Sequence, residues 1–282
     1  MPMEIQQAMR GTSPRAALVL GQDLPFWYPI NAVLTALQSG VKVNIQVDND
    51  SDFEWRACIA NSTGLFSVTL TNNYIKRPLM PTPVNGENIA GTAQQPGFLA
   101  VPKRLARTSV IQAEFTDRSN AGNTIQFCLQ GYKKYSQQPD ANFIPNVLGY
   151  RKAISHVYMP TVEDLATLRG KIPYWWPLFD GSIGAQQAAR SKFTAPDGCY
   201  VTHIVASSAQ AAGFALQVFD TERGEIMEDS PAVFPNHAGS AQRPFWLKKV
   251  YRLPSNGQIQ CRVINLATVA NAVQVVLCGV RD

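Results

Sequence analysis

Charge is scarce in this 282-residue sequence: Asp, Glu, Lys and Arg make up only 16% of it, against about 25% in ordinary soluble domains. A surface poor in charge and supplied by Asn, Gln, Ser and Thr suits a protein that lies against protein neighbours, or an adhesive extracellular module. The net charge of +5 is modest, and the basic residues gather at Lys103, Arg104 and Arg107, at Lys133 and Lys134, and at Arg151 and Lys152. Binding nucleic acid by counterion release needs a dense basic face, so no specific nucleic-acid partner is expected. Long apolar runs are also missing. None approaches the roughly 18 residues that span a bilayer. Ala16 to Leu20 is too short for a secretory core, and Glu4 stands where a signal peptide is basic. No membrane partner is expected, and the chain is expected to be made and kept in a cytoplasm unless another machine carries it out.

The equipment of common enzymes is absent as well. There is no glycine-rich phosphate cradle, no Walker motif and no G-x-S-x-G elbow. The five cysteines, Cys58, Cys128, Cys199, Cys261 and Cys278, are odd in number and form no CxxC. A disulfide framework is therefore not expected, and Cys128 and Cys278 read as small apolar residues of strands. His156, His203 and His237 lack ligand spacing, and His203, which aligns with Trp55 in the repeat, reads as a position in a strand face. The run Asp48-Asn49-Asp50-Ser51-Asp52-Phe53-Glu54 opens like a calcium loop. It then puts Phe53 where glycine belongs and Ile59 where the bidentate glutamate belongs. It reads as a turn between strands. No catalytic residue, cofactor or metal site is assigned, and the chain reads as non-enzymatic.

What the sequence does contain is a duplication. Pro25-Phe26-Trp27-Tyr28-Pro29 and Pro173-Tyr174-Trp175-Trp176-Pro177 are offset by 148 residues, from 25 to 173. The same offset aligns Gly64–Leu70 with Ala212–Val218. It also aligns Ala93–Leu99 with Ala241–Leu247, and Ile125–Gly131 with Val273–Gly279. A period this long is not that of a solenoid unit and matches the size of an independent domain. The expected organisation is an N-terminal arm (1–23), a first domain (24–135), a linker (136–171) and a second domain (172–282).

Each copy carries short strand patterns. Val41, Val43, Ile45 and Val47 alternate with polar residues, as in a strand with one buried face. Further strands are predicted at Phe53–Ala60, Leu65–Leu70, Val110–Phe115 and Ile125–Leu129. In the second copy they fall at Tyr200–Ser207, Phe214–Phe219, Ile259–Ile264 and Val273–Leu277, separated by turn formers. Ala32 to Leu37 is read as a short helical turn. The irregular stretches 77–96 and 225–244 match in position and length, so they are predicted to be ordered excursions over the sandwich. The linker holds one helix signal, Thr161–Arg169, with a Thr cap, acidic residues in its first turn and Gly170 after it. The fold class that follows is all-β: two tandem, duplicated antiparallel β-sandwich domains, jelly-roll-like, joined by a linker with one short helix.

The aromatic segments are the candidate functional residues: Phe26, Trp27 and Tyr28, and Tyr174, Trp175 and Trp176. They could form a sugar-binding platform. The structural alternative makes each an edge segment held straight by its prolines, with the central Trp packed on the sheet. Interface use is favoured, because aromatics anchor protein contacts and no polar sugar-binding set accompanies these.

Paired Pro-aromatic-Pro segments, Gln-x-Pro patches and strands ending Leu129-Gln130-Gly131-Tyr132 and Leu277-Cys278-Gly279-Val280, on duplicated sandwiches, resemble structural proteins of tailed-bacteriophage virions. The resemblance implies a virion protein made in the bacterial host cytoplasm and present in many copies. Its implied partners are other copies of itself and the portal, neck, capsid or tail proteins. A collar or neck position is favoured; capsid decoration and the tail remain open, as does a tandem carbohydrate-binding module.

Overall fold

The computed structural model describes residues 24–135, 168, 170–221, 225–226, 231–236 and 238–281. The arm 1–23 lies outside the described residues, as does the expected linker helix at 161–169 apart from Leu168. His156 and His237 also lie outside them.

The first half runs β1 (Leu24–Leu34), β2 (Val41–Gln46), β3 (Asp52–Ser62), β4 (Phe66–Asn72), short β5 (Arg77–Pro78) and β6 (Val84–Asn85). A one-turn helix α1 (Gly86–Ile89) precedes β7 (Gly97–Leu105), β8 (Val110–Asp117) and β9 (Asn123–Lys134). The second half repeats this order: β10 (Ile172–Ile183), β11 (Ala188–Thr194), β12 (Cys199–Ser208), β13 (Phe214–Asp220), β14 (Glu225–Ile226) and β15 (Ala232–Val233). A 3-10 turn (Phe234–Asn236) stands in place of α1, before β16 (Phe245–Leu253), β17 (Gln258–Asn265) and β18 (Asn271–Arg281).

One sheet of the first half has the order β1-β9-β3-β7, and the other β2-β8-β4-β5 with β6 also on β4. The second half gives β10-β18-β12-β16 and β11-β17-β13-β14 with β15 on β13. Among the described residues, every pairing between these strands is antiparallel. Interleaved orders of this kind are those of the double Greek key, so each half is a jelly roll. Period-two patterning drives it. Both β8 and β17 alternate strictly between half-buried and buried positions, turning Ile111, Ala113 and Phe115, and Ile259, Cys261 and Val263, inward.

The duplication reaches backbone detail. β3 and β12 each carry a bulge where they face β9 and β18, between Trp55 and Ala57 and between Val201 and His203. Opposite each bulge is a glycine. A Cβ on Gly131 would lie 2.0 Å from the Glu54 carbonyl oxygen, and one on Gly279 1.9 Å from that of Tyr200. Only a residue without a side chain lets the bulged strand come so close.

Three expectations need correction. Ala32–Leu34 is strand, not helix: Ile30, Ala32 and Leu34 continue the inward alternation of β1, paired with β9 as far as Asn123. His203 occupies the position of Ala57 rather than that of Trp55. It lies opposite Cys278, as Ala57 lies opposite Gln130, because the turn before β12 is shorter than that before β3. β7 and β16 have no counterpart among the predicted strands, since Lys103-Arg104 and Lys248-Lys249 interrupt their apolar pattern.

Candidate interaction surface

Period two also decides which aromatics meet which core. Tyr28 belongs to the first core, with Phe26 packed against it; their rings are 4.9 Å apart at 62°. Tyr174 and Trp176 belong to the second core, also 4.9 Å apart. The central residues of the two segments, Trp27 and Trp175, point out of their own sandwiches on edge strands β1 and β10.

Their surroundings differ sharply. Trp175 is 5% exposed and Trp27 47%. The cover on Trp175 comes from the first half. Residues 79–90 stay on the first sandwich through β6, and Leu79, Met80, Ile89 and Ala90 form one apolar cluster with Trp175, Val205, Val276 and Cys278 of the β10-β18-β12 outer face. The Trp55 and Trp175 rings are 6.2 Å apart. Ala100 and Val101 of β7 meet Val280 and Leu168 beside them.

Polar groups fix the register of this contact. Gln274 Oε1 accepts from the Asn85 N–H at 2.8 Å and from Asn88 Nδ2 at 3.1 Å. Its Nε2 donates to the Pro83 carbonyl at 3.1 Å and to Asp180 Oδ2 at 3.2 Å. Ser207 Oγ accepts from Asn85 Nδ2 and Asn88 Nδ2. The Trp175 N–H donates to the Leu79 carbonyl at 3.1 Å, and Arg281 donates to the Pro78 carbonyl. Burial raises the Asp180 pKa, against the opposing hydrogen bond from Gln274. The excursion predicted at 77–96 is thus ordered, but it covers the other sandwich's sheet. Sequence patterning could not reveal that, because Leu79 and Met80 give no sign of where their partners lie.

The equivalent face of the first sandwich, on β1 and β9, lies open: Trp27, Asn31, Val33 and Gln126 are exposed. Gln126 Nε2 donates to Asn31 Oδ1 at 3.1 Å, matching the pose of Gln274 on Asp180.

The acidic run ends in ion pairs. Asp48 and Asp50 hold Lys133 at 2.7 and 3.0 Å, Asp52 holds Arg104 at 2.8 Å, and Glu54 meets Arg56 and Lys134. Burial alone would lower the Lys133 pKa, but bonding to Asp48 and Asp50 outweighs it and holds the ammonium above its ordinary value. Among the described residues no group of three His, Cys, Asp or Glu is placed to hold a metal, and no helix is long and apolar enough to cross a membrane. None of the five cysteines forms a disulfide, and all are buried. His203 is buried in its strand, with its ring 4.2 Å from that of Trp246. A cleft between the sandwiches, lined by residues including Phe66, Glu87, Ala90, Thr92, Ser240 and Gln242, has Glu87 as its ionisable group, and Arg118 pairs with it at 3.4 Å.

No family model matches the sequence, and no curated protein matches it. Among solved structures, the chain is similar to PNGF-II at 9% identity and a TM-score of 0.35, covering 92% of this chain and 66% of that one, just under two thirds of its length. It is also similar to a chain of the Sulfolobus Turreted Icosahedral Virus structure, at 8% identity and a TM-score of 0.20, covering 93% of this chain and 94% of the other. The PBSX exported protein XepA gives 9% identity and a TM-score of 0.25, with 90% and 86% covered. The fold and the surface together define a tandem jelly-roll protein whose first excursion clasps its second sheet.

Proposed function

We propose that the chain is a non-enzymatic structural component of a bacteriophage particle that acts by binding other protein subunits, in the collar or neck region. Capsid decoration and a tail position are the alternatives within the particle. One observation carries the reading: the same sheet face is a finished protein interface in the second sandwich and an open one in the first. That face combines an aromatic anchor with amides of fixed register, the composition of a protein-contact surface. Host-cell synthesis and incorporation into virions follow from the reading.

The tandem carbohydrate module is disfavoured by a specific fact. Trp175 is buried, so the two aromatic segments cannot serve as paired sugar platforms. The test is quantitative mass spectrometry of purified particles from producing cells, with sedimentation of the purified chain added to particles that lack it. The expected result is recovery with the particles in fixed stoichiometry. Absence from particles, with glycan-array binding abolished by Trp27→Ala, would overturn the proposal.

A further inference from the structure

The contact between the sandwiches uses one partner from each half, and the unused partner of each kind is still present. On the excursion side, the 148-residue offset puts Pro231 at the position of Pro83, Val233 at that of Asn85 and Asn236 at that of Asn88. The strand register agrees: Val233 faces Ala215 as Asn85 faces Ser67. On the sheet side, Trp27 stands for Trp175 and Gln126 for Gln274, since Trp27 faces Gln130 and Trp175 faces Cys278 across equivalent strands.

Proline, asparagine, glutamine and tryptophan recur at four contact positions, whereas Leu79, Met80, Asn85 and Ile89 of the contact read Met227, Glu228, Val233 and His237 in the other copy. The unused groups are also accessible, with Asn236, Gln126 and Asn31 exposed, Trp27 47% exposed and Val233 44%. Gln126 is already tethered through Nε2 to Asn31, which leaves Oε1 to accept, as Gln274 Oε1 does. Within one molecule these two surfaces belong to opposite members of the tandem.

We propose that the exposed outer face of β1 and β9 is the docking site for the 231–236 excursion of a second copy of this chain, reproducing between molecules the contact that 83–88 makes within one. The inference rests on the reading that the chain acts by protein contact, and it names the partner. In the joined pair, Asn236 donates to Gln126 Oε1 and the incoming copy packs beside Trp27. One copy uses its face and the other its excursion, so the contact is heterologous and repeats head to tail.

The test uses the full chain. Self-association is measured by sedimentation velocity over a concentration series for wild type, Trp27→Glu and Asn236→Asp, with circular dichroism to verify folding. Separately, Gln126→Cys protein is mixed with Asn236→Cys protein under oxidising conditions. The native thiols are all buried, so the added ones are the reactive pair. The expected results are self-association weakened about tenfold or more by Trp27→Glu, and a cross-linked dimer in the mixture but in neither protein alone. Wild-type association that survives Trp27→Glu, with no mixed cross-link, would overturn this docking site and leave the contact-based function standing. A wild-type monomer at every concentration with no cross-link also overturns it. Incorporation of that monomer into particles then decides the function separately.

Discussion

Trp27 and Trp175 occupy equivalent positions, so truncating each compares one residue in two surroundings. Replacing Trp175 with alanine removes a ring that is 5% exposed, and replacing Trp27 one that is 47% exposed. A tryptophan offers about 250 Å² of surface, so the gap in exposure is worth about 100 Å² of burial. At about 25 cal/mol per Å² that is about 2.5 kcal/mol. The cavity left between Trp55, Leu79 and Val276 adds to the cost at Trp175. Trp175→Ala is therefore expected to destabilise by about 3–5 kcal/mol, and Trp27→Ala by at least about 2.5 kcal/mol less. Urea unfolding followed by far-UV circular dichroism, at concentrations where the chain is monomeric, reads both numbers. Equal losses, or a larger loss for Trp27→Ala, would refute the assignment of the 79–90 excursion as the cover on Trp175.

Gln274→Ala leaves the Asn85 N–H and the Asn88 amide short of their acceptor and should cost about 1–3 kcal/mol. Gln126→Ala in the monomer should change stability by less than about 0.5 kcal/mol; the same denaturation assay compares them. Gly131→Ala and Gly279→Ala drive a methyl group into the Glu54 and Tyr200 carbonyls, and each should cost about 1–3 kcal/mol or more. Gly181→Ala, whose added Cβ meets nothing nearer than the Phe179 ring at 3.8 Å, is the control expected to stay near wild type. Burial works to raise the Asp117 pKa, but donors from Leu37, Ser119 and Asn123 outweigh it, so the carboxyl is held below its ordinary value. Its contribution is present above the unfolded value of about 3.9 and is lost as pH falls through the lower folded value. Asp117→Asn should flatten the fall in denaturant midpoint below about pH 4; an unchanged slope would remove Asp117 from the acid response.

Much of the fold was legible because jelly-roll strands are half buried and the chain says most things twice. Val41 to Val47, Ile111 to Phe115 and Ile259 to Val263 alternate because one face of each meets a core, and the constant offset identified the paired excursions. What the sequence does not display depends on neighbours distant along the chain. Trp27 and Trp175 sit in nearly identical local contexts, and only the arrival of Leu79 and Met80 distinguishes them. The constant offset puts His203 at Trp55, but compensating turn lengths before and after β12 shift that strand while the flanking patches keep their spacing. The end of β1 resembles a helix because Val33, Leu34 and Leu37 also fit a 3.6-residue stripe. Pairing with β9 outweighed that local preference.

The clasp between the halves bears on how the chain is made. Residues 79–90 leave the ribosome well before their cover at Trp175, Val205 and Val276. At about 5–20 residues per second, the delay is on the order of 10–30 s. Throughout it, Leu79, Met80 and Ile89 stand uncovered on a sandwich that can otherwise close. The nascent first half thus presents a temporary apolar handle, available to chaperones or to the wrong neighbour on the same polysome, until its own successor emerges to claim it.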